Sequence, residues 1–241
     1  MKTTGARFFN FFLIMSISLA LPRTAMGFEL QKGETFHYDI KKLGVDLGNA
    51  TLSFKGEVKR GGRRYLLAIF KAEALNFYDE ERIYMDPSTM YPVLVERNLD
   101  IWGKKEKIRE IYDQTGFKVK VLKEANGKTT EQTLKNDAMI DNIYCFLYRF
   151  RRSGTFNKEK ELELNLPTKD VAILYDGPAE VEAADKKHQA VHYKSRPEQY
   201  RLWFGASEGL LPLRIDGTVG MGKTSLIMSV EPILTEKGLG G

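Results

Sequence analysis

Residues 34–58 read ETFHYDIKKLGVDLGNATLSFKGEV. Phe36, Tyr38 and Ile40 alternate with polar neighbours. After the connection, Ala50, Leu52, Phe54 and Val58 alternate with Thr51, Ser53, Lys55 and Glu57. A period of two gives a strand one apolar and one polar face. Gly44 and Gly48 bracket the link between the two runs, so the stretch predicts a β-hairpin over 34–58.

The same pattern recurs outward from this hairpin. Alternating runs appear at Phe117-Val119-Val121, Leu162-Leu164-Leu166, Leu211-Leu213-Ile215 and Leu226-Met228-Val230. Turn residues separate the runs: Gly61-Gly62, Asp86-Pro87, Asn126-Gly127 and Asp176-Gly177-Pro178. Asn126-Gly127 is the firmest hairpin signal, because both residues tolerate positive φ. About a dozen short strands at this spacing predict a mainly β fold, an antiparallel barrel-like or sandwich sheet.

One segment has a different period. Ile140, Ile143, Tyr144, Leu147 and Phe150 recur at intervals of three and four. This predicts one helix near residues 138–152, buried against the sheet. Asn136 or Asp137 can cap its start, Arg149, Arg151 and Arg152 suit its negative end, and Gly154 can stop it. The arginine run reads as solvated or capping.

The 241 residues are 42% hydrophobic and 29% charged, with a formal charge of +5. Such a composition excludes collagen, wholesale disorder and a polytopic helical membrane protein. Residues 1–27 read as a secretory signal peptide. Lys2 and Arg7 precede an apolar run from Phe8 to Leu21, Pro22 breaks it, and Ala25-Met26-Gly27 offers small residues for cleavage. The run is shorter than the ~20 residues a membrane-spanning helix needs. Removing Lys2, Arg7 and Arg23 leaves 34 basic against 32 acidic residues, a charge of +2. That charge gives no footprint for nucleic acid. The expectation is a periplasmic protein with one β-rich domain over residues 28–241 and no transmembrane span once the leader is removed.

Two catalytic patterns fail on context. Gly217-Thr218-Val219-Gly220-Met221-Gly222-Lys223-Thr224 matches the phosphate-binding loop, which needs a helix after it. Here Ser225 to Val230 alternates like a strand and Pro232 ends it. Gly205-Ala206-Ser207-Glu208-Gly209 matches the hydrolase nucleophile elbow, which also joins strand to helix. Here strands flank it, and no His follows Ser207.

Other candidate chemistry is sparse. His188 and His192 are four apart, and on a strand that separation is ~13 Å, too far for one metal. Cys145 lies among aromatic residues and reads as a buried, inert thiol. Acidic pairs such as Glu80-Glu81 read as solvated unless a partner carboxylate comes close. No cofactor and no metal are expected.

At this point the chain resembles the bacterial family called domain of unknown function 3108. The resemblance rests on Gly33-Glu34, Tyr38, Gly44, Gly48 and Ala50-Thr51-Leu52. It continues through Asp86 and Met90-Tyr91-Pro92 to Glu96-Arg97, then Asp141 to Arg149. It ends with Leu202-Trp203-Phe204 and Leu211-Pro212-Leu213-Arg214-Ile215. It implies an exported, mostly antiparallel β-protein and brings no reaction with it. This chain departs from the family at Ile143 to Phe146, where a small residue and a Leu are usual. A looser, fold-level likeness is to periplasmic lipoprotein carriers, whose open sheet holds a helix over an apolar hollow.

The function expected is a non-enzymatic binding or assembly module of the cell envelope, with a lipid, lipopeptide or envelope protein as partner. Tyr144, Tyr148 and Trp203 are candidate ligand contacts, with Arg149 facing an anionic headgroup. The alternative is an envelope hydrolase built around Ser207, His188 or His192. An outer-membrane β-barrel ranks last, because its strands need 9–11 residues and those read here are mostly shorter.

Overall fold

A computed structural model describes residues 28–153, 161–206, 209–219 and 222–232. The signal-peptide reading and the proposed helix stop at Gly154 lie outside these residues. The elements are β1 (Thr35–Lys42), β2 (Val45–Arg60), β3 (Arg63–Ala74), β4 (Phe77–Met85), β5 (Pro92–Ile101), β6 (Lys104–Asp113), β7 (Lys118–Ala125) and β8 (Lys128–Lys135). The helix α1 (Ile143–Ser153) follows. The chain continues with β9 (Leu162–Leu166), β10 (Lys169–Ala183), β11 (Lys186–Arg196), β12 (Arg201–Gly205), β13 (Pro212–Val219) and β14 (Gly222–Val230).

All fourteen strands form one antiparallel sheet in the order β8 to β1, then β14 to β9. The pairing of β1 with β14 joins the two runs of strands, with Tyr38 opposite Met228 and Ile40 opposite Leu226. The sheet is not closed, since β8 and β9 each have one strand neighbour. The hairpin over 34–58 is present, with Phe36 opposite Leu52 and Tyr38 opposite Ala50. Asn126 and Gly127 both have positive φ at the β7–β8 turn, as their residue types predict.

Several strands are longer than the turn residues suggested. β2 has 16 residues and β10 has 15. Asp176-Gly177-Pro178 is no turn but lies inside β10, at a register shift between Tyr175 and Gly177. Proline is tolerated there because β9 pairs with β10 only as far as Ile173, so one side of the strand is free at Pro178. Similar shifts at Ile40/Lys41, Phe54/Gly56 and Trp203/Phe204 bend the sheet. At Gly48 the neighbouring strand comes close: a β-carbon there would lie 2.0 Å from the Glu73 carbonyl oxygen.

The helix packs inside the curve. Tyr144 stacks on Phe70 of β3, Tyr148 meets Phe54 of β2, and Phe150 meets Tyr193 and Phe204 of β11 and β12. β3 and β11 are six steps apart in the sheet, about 29 Å along a flat surface, whereas a helix is ~10–12 Å wide. Both strands reach one helix only because the sheet curls round it. Among the described residues no helix is long and apolar enough to cross a membrane.

The helix begins at Ile143, five residues later than its periodicity suggested. Residues 138–142 are instead held by distant partners. Gln114 holds Ile140 through both its amide nitrogen and oxygen, and the Asp141 N–H donates to Asn165 O of β9 at 2.6 Å. The cap is therefore Asn142, whose Oδ1 accepts from the Tyr144 N–H at 2.9 Å, and neither Asn136 nor Asp137. Asn136 caps a local turn, accepting from the N–H groups of Asp137 and Ala138.

Candidate functional site

The inner face of β4 carries Phe77, Asp79, Glu81, Ile83 and Met85, all buried. Two carboxylates thus sit in an apolar row. The cross-strand partner of Glu81 is Arg97 of β5. Arg97 donates twice to Asp79, at 2.7 and 2.5 Å, and its Nε lies 3.4 Å from Glu81. A third carboxylate, Glu110 of β6, accepts from the Tyr112 hydroxyl at 2.5 Å. Asn142 at the helix start favours the charged form of Glu81, and the charge of Glu81 in turn raises Tyr144 and Tyr200.

This cluster places two buried carboxylates, Asp79 and Glu81, on one guanidinium, with the charge of Glu110 nearby. Burial raises the Glu81 carboxyl to about 7, opposed by Arg97 and reinforced by the charges of Asp79 and Glu110. Burial also raises Glu110 and holds Tyr112 well above the usual tyrosine range. The group can store and release a proton near neutral pH. Glu81 therefore is not solvated, contrary to its sequence reading, while its neighbour Glu80 faces outward and pairs with Arg82. The signal that would have found it is the alternation Phe77, Asp79, Glu81, Ile83, Met85, which carries both acids inward.

A second buried pair fixes the other end of the helix. Arg151 makes two bonds to Glu34, at 2.6 and 2.8 Å, and neither side chain is exposed. Its Nε donates to the Gly209 carbonyl, and its guanidinium lies over the Phe28 and Phe36 rings. The reading of the arginine run as solvated fails here. Arg151 falls three and four residues after Tyr148 and Leu147, hence on the buried face. Arg152 is exposed.

The four residues singled out as ligand contacts do not converge. Tyr144 and Tyr148 belong to the helix–sheet core. The Arg149 guanidinium is held by Asp141 and lies 4.1 Å from the Tyr91 ring centroid. Trp203 faces the opposite side of the sheet from its neighbours Leu202 and Phe204. There it stacks on His192 at 4.3 Å, with Arg214 over it.

The remaining chemical candidates stay apart. His188 bonds the Ala183 carbonyl, and His192 meets Asp176 at 3.0 Å. Among the described residues no group of three or more His, Cys, Asp or Glu could hold a metal. Cys145 is fully buried, and burial pushes its thiol up. Gly217 and Thr224 face each other across the paired strands β13 and β14, so the phosphate-loop pattern leads into a strand and not into a helix. Ser207 lies outside the described residues.

On the inner face the helix does not cover everything. Ile108 of β6, Val121 of β7 and Leu134 of β8 point inward yet are only half-buried, and the rest of β8 is exposed. These strands form a wing beyond the helix. No family model, curated protein or solved structure matches the chain.

Proposed function

We propose that the protein is an exported, non-catalytic binding module of the cell envelope, working in the periplasm. Its ligand is an apolar chain such as an acyl group, lying along the inner face of the β6–β8 wing. Membership of the domain of unknown function 3108 family is part of the same proposal.

Val121 and Leu134, half-buried and packed against the core, support this reading, with half-buried Ile108 diagonal to Val121. This row continues the core outward, and β8 leaves the sheet open beside it. Lys123, paired with Glu106 at 2.7 Å, borders the row and offers a polar end to an amphiphile. The four contacts first considered take no part in this proposal: Tyr144 and Tyr148 pack in the helix–sheet core, Arg149 pairs with Asp141, and Trp203 stacks on His192 on the other face of the sheet. The hydrolase alternative has less to support it: His188 bonds the Ala183 carbonyl, His192 meets Asp176 through Nδ1 and stacks on Trp203, and Ser207 lies outside the described residues.

Native mass spectrometry and organic extraction of protein purified from its own host test the proposal. The expected result is a bound amphiphile that is displaced by a fluorescent fatty acid. Val121→Asp should lose both the adduct and the probe while keeping a cooperative unfolding transition. Ligand-free protein that also ignores the probe would refute it.

A further inference from the structure

Four large apolar side chains stand in solvent at one end of the sheet. Leu43 is 98% exposed, Val45 60%, Leu75 82% and Trp102 74%. Leu43, Leu75 and Trp102 lie in the β1–β2, β3–β4 and β5–β6 turns and Val45 opens β2, and a run of antiparallel hairpins brings all four to the same end. Two of these tips are tied together, since the Trp102 N–H donates to the Asn76 carbonyl at 2.8 Å.

Folding does not account for these residues. Leu43 (φ 51°) and Trp102 (φ 56°) are left-handed, and each precedes a left-handed glycine, Gly44 or Gly103. Such two-residue turns favour Asn-Gly, the pair found at Asn126-Gly127. A leucine or tryptophan in this conformation is sterically disfavoured. Here neither gains burial in exchange. A residue that is poor for its turn and packs against nothing within the chain is suited to a surface outside it.

The flanking charges indicate which surface. Lys42 precedes Leu43, and the exposed Lys104 and Lys105 follow Trp102-Gly103. Among the described residues Lys104 and Lys105 form no ion pair within 4 Å. The neighbouring acids Asp46 and Glu73 are paired with Lys41 and Lys71, and Asp100 stands opposite Lys105 across β5–β6, which leaves Lys104 without a facing acid. Beside Leu43 lies a hollow of about 310 Å³ bordered by Lys41, Lys223 and Thr224, whose buried hydroxyl has no partner there. Glu198 and Asp216 also border it, each engaged by an arginine, Arg201 and Arg214.

We infer that this end of the sheet docks on an anionic lipid bilayer. Trp102, Leu43, Val45 and Leu75 enter the interfacial layer, where an indole is at home, and the lysines meet headgroup phosphates. The surface is separate from the acyl row on the wing, so either proposal can fail without the other.

Vesicle flotation tests it, using phosphatidylglycerol–phosphatidylethanolamine vesicles against phosphatidylcholine vesicles. The purified protein should float with the anionic vesicles. Trp102 emission should shift to the blue in a Trp203→Phe background. The triple variant Leu43→Asn, Leu75→Ser, Trp102→Asn should partition at least about tenfold more weakly. Its Tm should be unchanged or higher, because asparagine suits a left-handed turn. Lys104→Glu with Lys105→Glu should remove the preference for anionic vesicles. The inference is overturned if the wild type stays with the soluble fraction or the triple variant floats as well. It is equally overturned if the variant loses stability, making these residues part of the fold, or if it changes only self-association in sedimentation, making the tips a protein contact.

Discussion

Glu81 shows how one inward-facing residue sets a property of the whole protein. Arg97 lies 3.4 Å from it but is already taken twice by Asp79, and the charges of Asp79 and Glu110 act on it as well. Its folded-state value, about 7, lies above the ordinary 4.5. Between those values the folded protein keeps a proton that the unfolded chain has released. The contribution of Glu81 to stability therefore falls as pH rises through this window and stays at its lowest above it. Glu81→Gln carries no such dependence. Relative to the wild type, the variant should gain on the order of 1–3 kcal/mol between about pH 5 and about pH 8. Urea unfolding of both proteins across that range measures the difference. A constant difference would mean that Glu81 is charged throughout. Carboxylates such as Glu96 and Asp113, which are lowered by their partners, have the opposite slope, but they cancel in the comparison.

The helix is the element on which sequence and structure differ most usefully. Its existence and buried face were legible from the spacing of Ile143, Tyr144, Leu147 and Phe150. Its start was not, because residues 138–142 share the apolar spacing but answer to distant partners, Gln114 and Asn165. A local period cannot register a bond to a side chain 26 residues away. The strands were legible for the opposite reason: their period reflects which face meets the core, and that face is set once per strand. Applied to β4 and β12, the same alternation gives the inward Glu81 and the outward Trp203. Treating acids as solvated hid Glu81, and grouping Trp203 with Tyr144 and Tyr148 as ligand contacts overlooked that it faces the other side of the sheet. Asn142 now serves as cap and as partner of Glu81. Asn142→Ala should cost about 1 kcal/mol from the lost cap alone. It should lower the urea midpoint and leave the m-value unchanged. A neutral substitution would show that the tertiary contacts of Tyr144 and Tyr148 hold the helix start without its cap.

At the scale of the molecule, the open sheet makes stability uneven. β1 and β14 lie at the middle of the strand order, and their inner residues Phe36, Tyr38, Ile40, Leu226 and Met228 are almost wholly buried. Glu34 and Arg151 clamp the end of the helix beside them. The helix in turn touches β2 and β3 on one side and β11 and β12 on the other, so neither half can open without unpacking it. The β6–β8 wing is different. Most of β8 is exposed, and the inner residues Ile108 and Val121 are only half-buried. One ground for setting aside an outer-membrane barrel, strand length, is lost, since β2, β3, β10 and β11 all exceed ten residues. The open edges and the helix inside the curve still set this sheet apart from the closed barrels that span a bilayer. Local opening follows the packing of each region, and its free energy ranges from near zero to that of global unfolding. Amide hydrogen exchange should therefore rank β8 and β7 as the fastest strands, with β1, β2 and β14 the slowest. Tyr148→Ala should speed exchange in β2 and β12 together, because one ring position serves both halves of the curve through the same helix. Faster exchange in β2 alone would mean that the halves open independently and that the helix belongs to only one of them.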